Sequence, residues 1–196
     1  MLDSIKVIII IFILVMSKIF IALTPDPEFN KVICVLKKDQ NKFLIRNHKV
    51  NWSKDNQHHI TINFIGSMEP EQKEELFANL GNRSAFKNLP VEIDSLSYFP
   101  NENGQVLVAN ITPTTRLQKL FDEVEGVVAR IGFGMALRTF RPHITLARFK
   151  SKNRPFSQII ELEEPVNSEI RALDIYKSSF KSGKTTHTLV QTYSFE

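Results

Sequence analysis

Two segments of the 196-residue chain carry the same short arrangement of a histidine, one isoleucine and a threonine. They are HHITINFIG at residues 58–66 and RPHITLARFK at residues 141–150. Because side chains alternate between the two faces of a strand, His59 would share a face with Thr61, and His143 with Thr145. Either segment alone describes an ordinary strand with a partly exposed histidine, whereas the pair also describes two halves of one active site. The residues by themselves leave these interpretations evenly balanced.

The chemistry that such a site would support is cleavage of a phosphodiester without a metal ion. One neutral imidazole takes a proton from attacking water, and a second, protonated imidazole gives a proton to the leaving oxygen. The unperturbed pKa of histidine, about 6.5, allows both forms near neutral pH. The hydroxyls of Thr61 and Thr145 would donate hydrogen bonds to the non-bridging phosphate oxygens. Arg148 and the basic loop KSKNRP that follows would add positive charge.

Strict alternation makes further predictions about the faces of the two motif strands. Asn63 falls on the face of His59, and Phe64 falls on the opposite, apolar face. Arg148 falls on the face opposite His143, so a contribution from its guanidinium requires a β-bulge or the end of the strand. The remaining histidines have no matching context and are predicted to be surface or supporting residues; they are His48, His58 and His187.

The elements that would position the two motifs are marked by turn and helix-end residues. KIFIAL predicts a first strand, and Asp26 with Pro27 opens a helix whose apolar face includes Phe29, Val32, Ile33 and Leu36. A second helix begins at Pro70 and ends at Gly81; a third, predicted to be the longest, begins at Thr112 and Pro113 and ends at Gly132. Strands are predicted at HHITINFIG, VEIDSLSYF, GQVLVANI and HITLARF, and EIRALDIYKSSF and TTHTLVQTYSF form a closing hairpin around residues 181–184. This order predicts an α+β fold in which helices cover one face of mainly antiparallel sheets.

Composition excludes several other classes of protein. An apolar content of 42% and a charged content of 23% are typical of a globular chain, and a net charge of +4 favours an anionic partner without requiring one. None of the seven glycines forms a phosphate-binding loop, which argues against a nucleotide-binding α/β fold. Cys34 is the single cysteine, so no internal disulfide can form, and no Cys/His cluster has metal-site spacing. These features predict a reduced, intracellular protein without a metal.

The N-terminus departs from that description because residues 7–16 are all apolar. This run is about half the length that a bilayer-spanning helix needs. It is interpreted as a membrane anchor or uncleaved signal, as an untranslated extension before a true start at Met16, or as an additional strand. The second interpretation is favoured, since KIFIAL reads as an ordinary first strand directly after Met16. Residues 1–15 are therefore treated as an extension, and residues 16–196 as one domain.

The two motifs resemble the paired signatures of the 2H phosphoesterase superfamily, and within it those of the 2′-5′ RNA ligase family, the RNA 2′,3′-cyclic phosphodiesterases of bacteria and archaea. KIFIALTPDP is similar to the first strand and turn of that family, and IYKSSFKSGKTTHTLVQTYSF to its closing hairpin. The resemblance covers residues 16–196. It implies a bilobal α+β fold with pseudo-twofold antiparallel sheets, flanking helices and a central cleft lined by the motif strands.

The resemblance also implies a reaction and a set of residues. RNA ends bearing a 2′,3′-cyclic phosphate, such as those of tRNA halves, would be hydrolysed to 2′-phosphomonoesters without a metal or other cofactor, with weak reverse 2′-5′ ligation. His59 and His143 would be the catalytic pair, His59 as acid on the leaving O3′ and His143 as base, an order that the residues do not fix. Thr61, Thr145 and Arg148 would bind phosphate.

Two further positions follow from the resemblance. Phe20 matches a first-strand aromatic that would stack on the terminal base, although it is equally ordinary as a core residue. Asn63 stands where the family often has alanine and is expected to tune contacts with the substrate.

Other functions remain open from the sequence. One is cleavage of 2′-5′ oligonucleotides or of small cyclic phosphates, and another, of a different class, is an RNA-binding module that holds phosphate without turnover. A cytoplasmic monomer is expected, with membrane attachment only if residues 1–15 are a real anchor.

Overall fold

The computed structural model describes residues 18–44, 50–81, 87–134, 139–150, 159–181 and 184–196. The apolar extension predicted at residues 1–15 and all of the basic loop after Lys150 lie outside the described residues. No helix of the described part is long and apolar enough to cross a membrane.

The described residues form three helices and nine strands. The helices are α1 (Pro27–Leu44), α2 (Pro70–Gly81) and α3 (Thr115–Arg130). The strands are β1 (Lys18–Leu23), β2 (Val50–Trp52), β3 (Ile60–Ser67), β4 (Leu89–Phe99), β5 (Val106–Ile111), β6 (His143–Phe149), β7 (Ile160–Ile170), β8 (Ala172–Lys181) and β9 (Lys184–Ser194).

All the described strands belong to one antiparallel sheet with the order β7-β4-β5-β6-β3-β1-β8-β9, and β2 pairs with β6 beside this path. The motif strands β3 and β6 are neighbours at its centre, where a single residue pair, Ile60 with Ile144, joins them. Along this path four strands lie on either side of the junction, each half beginning with a motif strand, and β2 is a fifth strand on the side of β6. The α+β prediction is thus confirmed, and the two predicted lobes are halves of one sheet that meet at the motifs.

The core lies between this sheet and the helices. One face of α3 is buried along its whole length, and Ile131 directly after the helix is buried with it; the helix residues are Leu117, Leu120, Phe121, Val124, Val127 and Val128. Each such side chain contributes about 1.5–3 kcal/mol when it is fully buried. In α1 the prediction holds for Phe29 and Ile33, which are buried, but is wrong for Val32, which is 38% exposed.

The helix ends show where residues close together in the sequence were sufficient to predict the structure. Asp26 caps α1 as predicted, since its Oδ1 accepts from the backbone N–H of Phe29 at 2.8 Å. The predicted start of α3 at Thr112 is wrong. The Thr112 hydroxyl donates to the carboxylates of Glu92 and Asp94, and the N-cap is Thr114. The longest helix is α1, with 18 residues against 16 in α3.

Two strands were not predicted from the sequence. β2 is only three residues long. β7 is rich in glutamate, contains Pro165 and forms one edge of the sheet. Edge strands tolerate both features because one side of their backbone needs no partner. The pattern of β7 therefore lacks the apolar alternation that reveals the inner strands.

Candidate active site

The two motif strands bring the four motif side chains to one place. Ile60 and Ile144 are paired and fully buried. Extending this antiparallel register by one residue in each direction sets His59 opposite Thr145, and Thr61 opposite His143. The register therefore directs the histidine of each motif toward the threonine of the other motif, and the charge of His143 acts on His59 across the junction.

Both imidazoles are anchored in the same way. His59 donates from Nδ1 to the carbonyl oxygen of Gln57 at 2.8 Å, and His143 donates from Nδ1 to that of Arg141 at 2.8 Å. A carbonyl oxygen can only accept, so Nδ1 carries the hydrogen in both rings. Nε2 is consequently the nitrogen that can take up or release a proton in each ring.

Both motif strands contain a β-bulge directly after the motif threonine. Along β3, Thr61 pairs with Ala22 and Asn63 pairs with Ile21, which leaves Ile62 as the extra residue. Along β6, Thr145 pairs with Val108 and Ala147 with Leu107, which leaves Leu146 as the extra residue. A bulge reverses the facing of the residues that follow it. The two motif strands therefore share a bulge at the same position relative to the motif threonine.

The bulge in β6 brings Arg148 to the face of His143. Its side chain is exposed, and its positive charge lowers the pKa of both His59 and His187. The sequence required a bulge or a strand end for Arg148 to reach the cleft, and the strand has the bulge. Binding of phosphate by Arg148, Thr61 and Thr145 stays a prediction.

The bulge in β3 makes the alternation predicted for Asn63 and Phe64 wrong. Asn63 is 9% exposed, and its Nδ2 donates to Oε1 of the buried Glu125 on α3. Phe64 is 52% exposed, and its ring lies parallel to that of Phe20, with centroids 6.3 Å apart. Asn63 thus turns toward α3, while Phe64 joins the face of His59.

Phe20 forms the base on which His59 rests. Its ring is only 2% exposed and has its centroid 5.1 Å from that of His59. Tyr176 stacks on Phe20 at 5.2 Å, and His187 meets it edge-on at 4.8 Å. Phe20 therefore has no exposed face to offer a nucleotide base, and the exposed ring beside it is Phe64.

His187, predicted from the sequence as a surface or supporting residue, is a neighbour of the site. It is half-buried on β9, with its ring 5.4 Å from that of His59 and nearly perpendicular to it. Burial, and then the charge of Arg148, lowers its pKa. The predicted hairpin was sufficient to place His187. Pairing Lys181 with Lys184 sets His187 opposite Ser178, and Ser178 shares a face of its strand with Tyr176.

His143 has its own aromatic support and borders a cavity. Phe99 stacks on its ring at 4.3 Å, and the Arg141 guanidinium lies 4.8 Å from the centre of Phe99. A cavity of about 1100 Å³ opens beside these residues, between the motif strands and α3. Its lining includes Thr61, Phe64, Phe99, Phe140, Arg141 and His143.

Electrostatics make His59 neutral at pH 7 in the free protein. Burial lowers its pKa to about 4, and the nearby charges of His187, His143 and Arg148 act in the same direction. The hydrogen bond to the Gln57 carbonyl opposes this shift only in part. Neutral imidazole is the form that a general base needs. The acid role expected for His59 requires a bound phosphate anion to raise this pKa.

Stability should therefore depend on pH through buried neutral histidines. The pKa values of His58 and His59 are about 4 in the folded protein and about 6.5 in the unfolded chain, so the unfolded state binds more protons between these values. We expect the free energy of unfolding to fall by about 1–2 kcal/mol per histidine between pH 7 and pH 5. Urea denaturation at these two pH values measures the change.

The matched control for this dependence is His58→Gln, which cannot titrate. Its free energy of unfolding should vary less between pH 7 and pH 5 than that of the wild-type protein. Equal slopes in the two proteins would contradict the assignment.

The described residues contain no group of three or more histidine, cysteine, aspartate or glutamate side chains arranged to hold a metal ion.

Comparison with known proteins adds independent information. A family model described as LigT-like phosphoesterase matches residues 36–108. The RNA 2′,3′-cyclic phosphodiesterase of Aeropyrum pernix is 29% identical over 137 residues, which cover 67% of this chain and 76% of that protein. The RNA 2′,3′-cyclic phosphodiesterase of Thermotoga maritima is 23% identical over 181 residues, covering 90% of this chain and 95% of that protein.

Solved structures share the fold at lower sequence identity. Escherichia coli LigT in complex with 3′-AMP superposes with a TM-score of 0.74 at 20% identity, covering 92% of this chain and 98% of LigT. A protein of Thermus thermophilus gives a TM-score of 0.77 at 18% identity, covering 91% and 97%. The chain is thus similar in sequence to LigT-like phosphoesterases over residues 36–108, and it shares the fold of Escherichia coli LigT.

Proposed function

We propose that the chain hydrolyses 2′,3′-cyclic phosphate ends of RNA to 2′-phosphomonoesters, with His59 and His143 as the proton-transfer pair and without a metal ion. The observation that carries the proposal is the meeting of the two motifs at Ile60 and Ile144, with both imidazoles anchored through Nδ1. The substrate class is supported by the names of the Aeropyrum and Thermotoga relatives. The catalytic domain is proposed to be residues 16–196, active as a cytoplasmic monomer.

The reaction replaces one phosphorus–oxygen bond by another. The oxygen of water bonds to phosphorus while the bond from phosphorus to O3′ breaks. One neutral imidazole removes a proton from the water at Nε2, and the other, protonated, delivers a proton to O3′. The products are a 2′-phosphomonoester and a 3′-hydroxyl. The base is left protonated and the acid neutral, and proton exchange with solvent restores both rings before the next turnover, so the proton transfers balance without a metal.

The other groups of the site would stabilise the charge on phosphate. The Thr61 and Thr145 hydroxyls, each next to the paired isoleucines, would donate to the two non-bridging oxygens. Arg148, brought to the same face by the bulge, adds a positive charge for which no proton transfer is required. These donors are worth most in the transition state, where negative charge on these oxygens increases.

The same bond changes also describe ligation. When the 5′-hydroxyl of a second RNA, such as a tRNA half, replaces water, attack on phosphorus with loss of O3′ joins the strands through a 2′-5′ bond. Ligation would be weak, since water is present at far higher concentration than RNA ends.

The direct test is hydrolysis of a short oligonucleotide that ends in a 2′,3′-cyclic phosphate, in buffer containing EDTA. We expect a 2′-phosphate as the sole product and the same rate with and without chelator. Loss of activity in EDTA would exclude the metal-free mechanism. A 2′-5′ oligonucleotide and a nucleoside 2′,3′-cyclic phosphate should be turned over more slowly. Tight binding without turnover of any of the three would indicate a binding module instead.

A further inference from the structure

We propose that Lys37 and His58 are positioning residues that hold the segment before β3, and with it His59, in the orientation needed for proton transfer. The inference rests on the proposed function for its kinetic part. Lys37 and His58 are buried, and together with their partners Asn30, Ser53 and Asp55 they form a polar group that we call the Lys37 clamp; Asp55 lies at its exposed edge.

Lys37 is the centre of the clamp. It lies on α1 and is 7% exposed, which is unusual for a lysine. Its Nζ donates to the carbonyl oxygen of Ser53 at 2.6 Å, to Oδ1 of Asp55 at 2.6 Å and to Nε2 of His58 at 3.3 Å. An ammonium group has three donors, and all three are directed at residues 53–58.

His58 connects the clamp to a second residue of α1. The side chain is 4% exposed, and its Nδ1 donates to Oδ1 of Asn30 at 2.6 Å. Since an amide oxygen accepts only, Nδ1 carries the hydrogen, and Nε2 is left to accept from Lys37. Asn30 and Lys37 are seven residues apart, or about two turns, and so lie on the same face of α1. The His58 ring is therefore held at both nitrogens and in its neutral form.

The clamped segment supplies the anchor of His59. The Gln57 carbonyl, which fixes the His59 tautomer, lies between Asp55 and His58 in the chain. The backbone N–H of Ser53 donates to the carbonyl of Leu146, the extra residue of the β6 bulge, at 2.8 Å. The segment is thus fastened to α1 on one side and to the second motif strand on the other.

Stability alone gives no reason for such a group. Taking an ammonium group out of water is costly, and apolar side chains of similar volume often replace buried ionic groups without loss of stability. What the clamp adds is a fixed geometry for residues 53–58, which form only a single short turn before the strand. A displacement of about 1 Å in a reacting group can lower a rate by about 10²-fold.

Protonation of His58 would open the clamp. The charged groups that face it are Lys37 from α1, with Asp55 and His59 from its own segment. Burial and the Lys37 charge lower its pKa to about 4, so the clamp is closed at neutral pH. A second positive charge on His58 would face the Lys37 ammonium and remove its acceptor.

The test compares four single variants of the full chain. Lys37→Met removes the donors but keeps the length of the side chain, and Lys38→Met, at the exposed neighbouring position, is the matched control for charge. His58→Leu removes the acceptor for Lys37, and His58→Gln restores one. We expect Lys37→Met and His58→Leu to lower kcat by about 10–10²-fold with KM nearly unchanged. We expect His58→Gln to recover most of this loss and Lys38→Met to match the wild-type protein.

A second measurement is independent of turnover. The Hδ1 proton of His59, donated to the Gln57 carbonyl, should give a slowly exchanging imidazole signal in NMR spectra of the wild-type protein. The signal should broaden or vanish in Lys37→Met and persist in Lys38→Met. It distinguishes the two proposals, because it reports the clamp even if the wild-type protein turns over no cyclic phosphate.

Two results would overturn the inference. One is a Lys37→Met protein with the kcat and the Hδ1 signal of Lys38→Met. The other is a loss of kcat in His58→Gln as large as that in His58→Leu, in proteins that denature at the same urea concentration. If Lys37→Met does not fold, the His58 pair alone decides the outcome.

Discussion

Replacing His59 or His143 by alanine is expected to lower the turnover of 2′,3′-cyclic phosphate RNA ends by about 10²–10⁴-fold, the usual contribution of a positioned acid or base. The structure gives both rings the same anchor and brings both motifs to one junction of the sheet, so neither substitution should be tolerated. KM should change little, because imidazoles that transfer protons act mainly in the transition state. Initial rates over a range of substrate concentrations measure both quantities.

The two histidines can be told apart with a substrate in which sulfur replaces the bridging O3′. A thiolate leaves without a proton, so this substrate should restore the rate of whichever alanine variant lacks the general acid. Recovery by His59→Ala would support the order expected from the resemblance. Recovery by His143→Ala would instead agree with the lowered pKa of His59, which favours the neutral base. Recovery by neither, with both variants folded, would contradict a two-histidine mechanism.

The sequence predicted those parts of the fold that depend on short-range signals. Strong helix boundaries were predicted where a Pro or Gly marks them, as at Pro70 and Gly81. The inner strands were predicted where apolar residues alternate. β7 was missed because an edge strand can be charged and can contain Pro165. Thr112 was mistaken for a cap because its acceptors, Glu92 and Asp94, come from a strand about twenty residues away.

The sequence predicted which face of the sheet each site residue occupies only up to the bulges, where the alternation of side chains between the two faces is interrupted. His59 and Thr61, like His143 and Thr145, precede the bulges, and the structure places them together. Residues after the bulges change faces, which brings Arg148 to the face of His143 and sets Asn63 beside Glu125 of α3, at the cavity that Thr61 and His143 also line. The sequences INF (residues 62–64) and LAR (residues 146–148) contain no residue that marks a bulge. Each bulge is a shift in the strand register with β1 or β5, which the local sequence does not show.

Supporting residues were the least predictable. Lys37, His58 and His187 reach the site from α1, from the segment before β3 and from β9. Their roles depend on contacts between segments far apart in the chain. A lysine on a helix is ordinarily exposed to solvent, so its position in the sequence does not indicate a buried role. Only for the closing hairpin could the strand register be predicted from the sequence.

Phe20 is the position where core packing and substrate binding make opposite predictions. Its ring is 2% exposed beneath His59, Tyr176 and Phe64. Truncation to alanine should therefore destabilise the protein by about 3–5 kcal/mol, and Phe20→Leu by no more than about 1.5 kcal/mol. Urea denaturation at pH 7.5 measures both. A loss below 1 kcal/mol for alanine, on the scale of a surface change, would contradict the burial of this ring.

The kinetic comparison uses Phe64→Leu as its matched control, because the Phe64 ring is 52% exposed above Phe20. Stacking on a base contributes about 1–3 kcal/mol. If the terminal base of the RNA stacks on the exposed ring, Phe64→Leu should raise KM by about tenfold or more and leave kcat nearly unchanged. Phe20→Leu should do the reverse, lowering kcat, because it removes the surface that supports His59 and leaves Phe64 in place. A larger rise in KM for Phe20→Leu than for Phe64→Leu would mean that Phe20 itself reaches the base, which requires the rings around it to move when RNA binds.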